Sequence, residues 1–441
     1  MPDTVGLEYH EPTSLRGITK RAIVCKHHRF RDLYRCIDSE LLHSSWRELN
    51  KRSASGVDEV TAEAYAKNLD DNIQDLVERL KTKRYRTKLV RRCYIPKENG
   101  KERALGLPAL EDKLVQQACA KLLNAIYEPL FLPNSYGYRK GIGAKDAVMD
   151  LCFNLQYGRF GYIVEADIKG FFDHLDHDWL LKMLALKIDD NALLMLIRKW
   201  LKAGILDTDG TITHPVTGTP QGGVISPILA NIYLHYALDL WFQQRVKRGA
   251  SGQCMMIRYA DDFVCAFQYR ADAMRFYREL PKRLAIFQLE VAPEKSRVMA
   301  FSRFTPGLPK RFSFLGFEVY WDRDRKGVAR VKKRTASKKL QAAKRALKVW
   351  IRGNRHLKGP AFVVGLNRKL VGHYNYFGLK GNLSALYNYY IWTIRCAYKW
   401  LNRRGGKRNS FNWGQFGKAL TQLNIAKPRE TEKWRKHVVF T

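Results

Sequence analysis

Apolar residues along this chain come in two patterns, short continuous runs and stripes spaced every three to four residues. Short runs dense in β-branched and aromatic residues read as strands at 162–168, 257–260, 263–267 and 312–321. Arg91-Arg92-Cys93-Tyr94-Ile95-Pro96-Lys97 reads as a further strand entering a turn at Glu98-Asn99-Gly100, with Lys101–Gly106 returning as its partner. Between the strands lie helical patterns. An amphipathic stretch follows the Ser55–Asp58 turn and runs to Lys81, another opens at Leu110 and reaches about Glu128, and others follow Asp176, follow Pro227 and span about 271–287.

Past a polar junction at Asp322–Gly327 the pattern becomes helical throughout. Leu340, Ala343, Leu347 and Trp350 form one stripe. Val363, Leu366, Leu370, Tyr374 and Phe377 form a second, and Leu383, Leu386, Tyr390, Ile394 and Leu401 a third. Three helices with one apolar stripe each can bury those stripes together. The class is therefore α+β, with a mixed segment at 46–322 and a helical one at 323–402. Residues 1–45 form a polar, basic extension of unassigned role, and 403–441 a basic tail.

Charge adds a partner. The 441 residues carry a net charge of +36, which favours a polyanion. From Arg325 through Arg429 there is no Asp or Glu, against 26 Lys and Arg. A solvated helical surface normally mixes both signs to gain i,i+4 pairs. Excluding every acid over 105 residues makes sense where phosphate lies across the interface. No apolar run is long enough for a membrane span, and the first residues lack the regions of a signal peptide. The eight cysteines form no Cys-x-x-Cys pair, which argues against zinc ligation and a disulfide framework and fits a reducing cytoplasm.

The candidate chemistry centres on Tyr259-Ala260-Asp261-Asp262, two adjacent carboxylates at a turn between apolar runs. Anions in such a setting are costly without a cation, and magnesium takes carboxylate oxygens while leaving positions open for phosphates. Asp167 stands near the end of a second apolar run, and between the two lies Gly218-Thr219-Pro220-Gln221-Gly222-Gly223. Phe314-Leu315-Gly316-Phe317 follows downstream.

A strand ending in Asp, a Gly-rich loop entering a helix and an Asp-Asp hairpin come in the order of a polymerase palm. With these segments the chain resembles group II intron-encoded reverse transcriptases, from about Trp46 onward and most closely the shorter bacterial type without an endonuclease. No His-Asn-His segment or cysteine pair precedes Thr441, so second-strand cleavage is not expected.

The resemblance implies a right-hand fold, with fingers and palm over 46–322, a helical thumb or maturase domain over 323–402 and a nucleic-acid-binding tail over 403–441. The thumb likeness is clearest at Gly372-His373-Tyr374-Asn375-Tyr376-Phe377. Primer extension calls for two magnesium ions about 4 Å apart. Asp167 and Asp261 are expected to bridge them, with Asp262 an accessory ligand. Lys97 and Arg103, on opposite strands of the fingers hairpin, could hold the triphosphate of an incoming nucleotide. By resemblance, Phe172 packs under the deoxyribose, Gln221 sits near the nucleotide and Lys295 lies near its phosphates.

The function so implied is RNA-directed DNA synthesis on intron RNA during retrohoming, with maturase assistance to splicing. Intron RNA, target DNA, a template–primer duplex and deoxynucleoside triphosphates are the expected partners, in a cytoplasmic, nucleoid-associated setting. A domesticated reverse transcriptase acting in phage defence or spacer acquisition is the alternative.

Overall fold

The computed structural model describes residues 14–96, 102–304, 311–403, 410–433 and 435–440. Among the described residues there are eleven strands: β1 (Val90–Pro96), β2 (Glu102–Leu107), β3 (Tyr162–Ala166), β4 (Ile205–Leu206), β5 (Ile212–Thr213), β6 (Cys254–Tyr259), β7 (Asp262–Phe267), β8 (Arg297–Ala300), β9 (Arg311–Phe314), β10 (Phe317–Arg323) and β11 (Ala329–Thr335). They make three sheets, ordered β2-β1-β4-β5, β6-β7-β3-β8 and β11-β10-β9. The chain divides into two compact units that interleave along the sequence. The first takes 1–139, 167–249 and 278–294, and the second 140–166, 250–277 and 295–441.

In the first unit, the helix Leu110–Tyr127 is buried around most of its circumference. It is covered by helices at Leu15–Val24 and Ser39–Glu48. Its buried Asp112 accepts hydrogen bonds from the Tyr85 hydroxyl and the Lys88 amide, and burial pushes its carboxyl up to about 6. The amphipathic stretch before Lys81 forms two helices, Ala62–Ala66 and Leu69–Lys81. Asp176 and Asp190 cap the helices His177–Ala185 and Asn191–Leu201, each accepting the amide three residues on. The helix after Ile225 begins with Ser226-Pro227, where proline's missing N–H costs nothing. It continues through π-helical turns at His235–Asp239 and Phe242–Val246.

The second unit holds the all-antiparallel sheet β6-β7-β3-β8. Its middle strands β7 and β3 are largely buried, as the apolar runs predict. Glu165 of β3 ties the two sheets of this unit together. Its carboxylate accepts from Arg297 of β8 and from the Ser313 amide of β9 at 3.2 Å. The three predicted helices are Ser337–Asn354, Gly359–Phe377 and Leu383–Leu401, and their stripes share one core with a shorter helix, Trp413–Gln422.

Two expectations change here. The single strand over 312–321 is a hairpin, because Leu315 and Gly316 both take positive φ (48° and 79°) and reverse the chain. The polar junction at 322–327 is also a turn inside a sheet, with Asp324 accepting the Lys326 and Val328 amides and β11 returning along β10. An Asp that caps its own turn looks like a linker when read from composition alone.

Candidate active site

The hairpin of β6 and β7 has a two-residue tip. Tyr259 pairs with Asp262, leaving Ala260 and Asp261 as the loop. Ala260 takes φ of 56°, a conformation that favours glycine, so the surroundings must hold it. Arg258 supplies part of that support. Its side chain has 0% exposure inside the sheet, and its Nη1 donates to the Ala260 carbonyl at 2.9 Å. The loop's second residue, Asp261, is half-buried, whereas Asp262 is exposed. Ala166, the last residue of β3, pairs with Phe263, the residue after Asp262. Asp167 follows Ala166, is half-buried, and accepts the Ala292 amide through its carbonyl at 2.8 Å.

The residues expected at the nucleotide fall mostly in the first unit, and backbone contacts connect them. The Gly106 amide of β2 donates to the Gln221 carbonyl at 2.7 Å, fixing the Gly-rich loop to the strand that carries Arg103. Gly222 has φ of 108°, and a Cβ there would stand 2.9 Å from the Gly106 carbonyl oxygen. At the other end of the loop, Thr219 donates its amide to the Phe172 carbonyl and Gly218 donates to Leu175. Inside it, Ser226 Oγ lies 2.8 Å from Thr219 Oγ1 and donates to the Pro220 carbonyl, while Gln116 Oε1 accepts the Val224 amide. The loop is thus built to one shape by hydroxyl and amide contacts.

Phe172 is 7% exposed and packs edge-on against Phe171, which is 2% exposed. Gln221 is half-buried and Arg103, opposite Ile95 in the β1–β2 hairpin, is exposed. Lys97 lies outside the described residues. Lys295 ends a single turn of 3-10 helix at Pro293–Lys295.

Among the described residues, no three His, Cys, Asp or Glu side chains stand as a ready metal cage. The donor type nevertheless suits magnesium, since Asp167, Asp261 and Asp262 offer hard carboxylate oxygens.

In the second unit, the helix Gly359–Phe377 reaches the tip of another turn. Tyr376 donates its hydroxyl to the Leu315 carbonyl at 3.1 Å and stacks on Phe317, whose ring also meets Phe377. Partial desolvation, with Tyr259 and Asp262 nearby, pushes the Tyr376 hydroxyl up. The Phe-Leu-Gly-Phe turn, the Tyr376–Phe377 pair and the Asp-Asp hairpin are therefore neighbours.

Residues 95–319 match the reverse transcriptase (RNA-dependent DNA polymerase) family. The chain belongs to that family. The α+β class, with antiparallel sheets and a helical C-terminal region, accords with that family. Among its relatives is the group II intron-encoded protein LtrA of Lactococcus lactis subsp. cremoris, 39% identical over 196 residues, which make 44% of this chain and 32% of LtrA. The protein YkfC of Escherichia coli is 31% identical over 306 residues, 63% of this chain and 78% of that protein. Nuclear intron maturase 4 of Arabidopsis thaliana is 29% identical over 130 residues, 30% of this chain and 16% of the maturase. In its match to LtrA the chain spans about a third of that protein's length. The chain is thus similar to group II intron proteins.

Arg258 is the site residue that the sequence reading missed. A lone cation at the end of the apolar run Met255-Met256-Ile257 was visible, but nothing in the run says that it turns back to hold the tip. No described helix is long and apolar enough to cross a membrane.

Proposed function

We propose that this reverse transcriptase is an RNA-directed DNA polymerase of a group II intron, which copies intron RNA into cDNA during retrohoming and serves as a maturase for its splicing. The observation that carries the reading is the β3–β7 ladder. It ends in Ala166 opposite Phe263, and each strand is continued at that end by a carboxylate, Asp167 or Asp262.

In this proposal Asp167 and Asp261 hold two magnesium ions, with Asp262 in support. The metals would supply activation of the primer hydroxyl and stabilisation of the leaving oxygen. Arg103, with Lys97, receives the triphosphate. Phe172 packs under the deoxyribose and Gln221 lies beside the nucleotide, in a loop whose fixed shape leaves little reorganisation to make on binding. The acid-free helices bind the intron RNA and the template–primer duplex, and target DNA is the further partner. Similarity to LtrA, a group II intron-encoded protein, and to a plant nuclear intron maturase supports the assignment to an intron. The proposed setting is the cytoplasm, at the nucleoid when DNA is the target.

The test is Asp261→Ala. Magnesium-dependent cDNA synthesis on a primed RNA template should disappear, while intron RNA affinity and splicing assistance persist. Undiminished synthesis by the variant would overturn the site.

A further inference from the structure

The first unit contains a cavity that takes no part in the arrangement above. Its volume is about 770 Å³, and none of Arg103, Asp167, Phe172 or Gln221 lines it. That volume falls within the roughly 300–1,000 Å³ of cavities that enclose small ligands. Three separate segments build it: Thr87–Leu89 before β1, the last turns of the helix Asn191–Leu201 with the residues just after it, and His214 beyond β5.

The chemistry of its walls has two parts. Leu89, Met195 and Ala203 give an apolar lining, and Met195 is 45% exposed, unusual for that side chain. Lys88, Arg198, Lys199 and Lys202 bring four cations, and the exposed His214 also lines the cavity. Lys88 pairs with Asp58 at 3.0 Å and Arg198 with Asp178 at 3.5 Å. Among the described residues, Lys199 and Lys202 have no acidic partner within ion-pair distance.

Cations in a helix's last turn also gain from its dipole, and this accounts for Arg198 and Lys199 on their own. It does not account for Lys88 and His214, which arrive from other elements. Nor does it explain apolar walls beneath the charge. A mixed lining of this kind suits a ligand with flat apolar faces and a regularly spaced anionic backbone. A duplex buries its base faces, whereas an unpaired strand can turn them into a cavity.

We propose that this cavity holds an unpaired segment of nucleic acid, its bases against Leu89 and Met195 and its phosphates on Lys199 and Lys202. The site anchors RNA away from the residues of nucleotide addition. It deepens the polymerase reading and rests on it for the identity of the RNA.

The experiment measures binding of fluorescent single-stranded oligouridylate and oligothymidylate by anisotropy over a series of salt concentrations. Wild type is compared with Lys199→Gln/Lys202→Gln, with Lys199→Arg/Lys202→Arg and with Met195→Glu. Loss of two phosphate contacts should reduce the salt slope by about 1.4, at roughly 0.7 per contact for single strands. Affinity at low salt should drop about tenfold or more. The arginine pair should restore both, which a merely structural role of the lysines would not require, and Met195→Glu should weaken binding by charge repulsion at an exposed position. Weakening for uridylate alone or for both oligomers supports the site and tells whether the sugar matters. An unchanged slope and affinity in the glutamine pair overturns it. Primer extension at saturating template is measured in parallel. Wild type that binds but makes no cDNA would count against the polymerase reading and leave the cavity standing.

Discussion

Arg258 and Ala260 are joined by a hydrogen bond of 2.9 Å from Nη1 to the carbonyl oxygen, formed where no solvent reaches the arginine. This contact sits at the tip of the hairpin, beside Asp261. A residue with positive φ that is not glycine needs such support, and a buried guanidinium can give it without flexing. Replacing Arg258 by Met should leave the Ala260 carbonyl unpaired at a cost of about 1–3 kcal/mol. Primer extension should fall further than thermal stability alone explains, with RNA affinity unchanged. Parallel melting, extension and binding curves check this, and full extension by the variant would count against Arg258 as a positioning residue.

Gly218 offers a second handle on the site. Its φ is 90°, and an added Cβ would come within 2.7 Å of the Asp173 carbonyl oxygen, an atom of the main chain. Gly218→Ala should therefore shift the loop that carries Gln221, with strain of about 1–3 kcal/mol. The KM for deoxynucleotide should rise, and steady-state extension assays read it. An alanine variant with wild-type KM and unfolding midpoint would show that the loop tolerates the shift.

Asp150 is completely buried in the helix Ala144–Tyr157, and three groups of the 435–438 segment converge on it. Arg435 and His437 pair with its carboxylate, and the Val438 amide donates to it at 3.4 Å. The segment is held on either side as well. Thr431 donates its amide to the Gly378 carbonyl, and Asn154 bonds to both Val438 and Phe440. Asp150→Ala removes this partner from Arg435 and His437, but Arg435 is partly exposed and keeps Asp146 at 3.1 Å, so the expected loss is about 1–3 kcal/mol. Asp150→Leu with Arg435→Met should cost less than the two single changes added together, and urea unfolding of the cycle decides it.

His373 supplies the pH dependence. Burial lowers its pKa to about 4, its Nε2 has no hydrogen-bond partner, and its ring stacks on Tyr389 at 4.0 Å. The native state resists protonation more than the unfolded chain, whose histidine titrates near 6.5. Stability from this residue is therefore complete above about 6.5 and is lost as pH falls toward 4. His373→Phe should flatten the fall in melting temperature between pH 7 and 5. An identical slope in the variant would assign the acid sensitivity elsewhere.

Much of this protein was legible along the chain. Short, nearly continuous apolar runs foretold β3, β6 and β7 because those strands are largely buried on both faces and tolerate few polar residues. The helices Ser337–Asn354, Gly359–Phe377 and Leu383–Leu401 were legible because a single stripe must face one shared core. Strand β11 was not. Its sequence Ala-Arg-Val-Lys-Lys-Arg-Thr carries four cations in seven residues, and only pairing with β10 makes it a strand. The helix Ala144–Tyr157 was likewise passed over, although the segment ending at Phe440 depends on it.

By itself, the sequence determined the chemistry available: adjacent aspartates in an apolar hairpin, a glycine-rich loop and a long surface free of acids. Residue type alone fixes charge, ligand hardness and backbone freedom. What the tertiary structure decided was placement. It set Ala166 opposite Phe263, turned Arg258 back onto Ala260, bound the Gln221 loop to β2 and gathered Lys88, Lys199 and His214 around one cavity. Those relationships join residues far apart along the chain or hidden within a turn. They depend on register and close packing, which local periodicity does not encode.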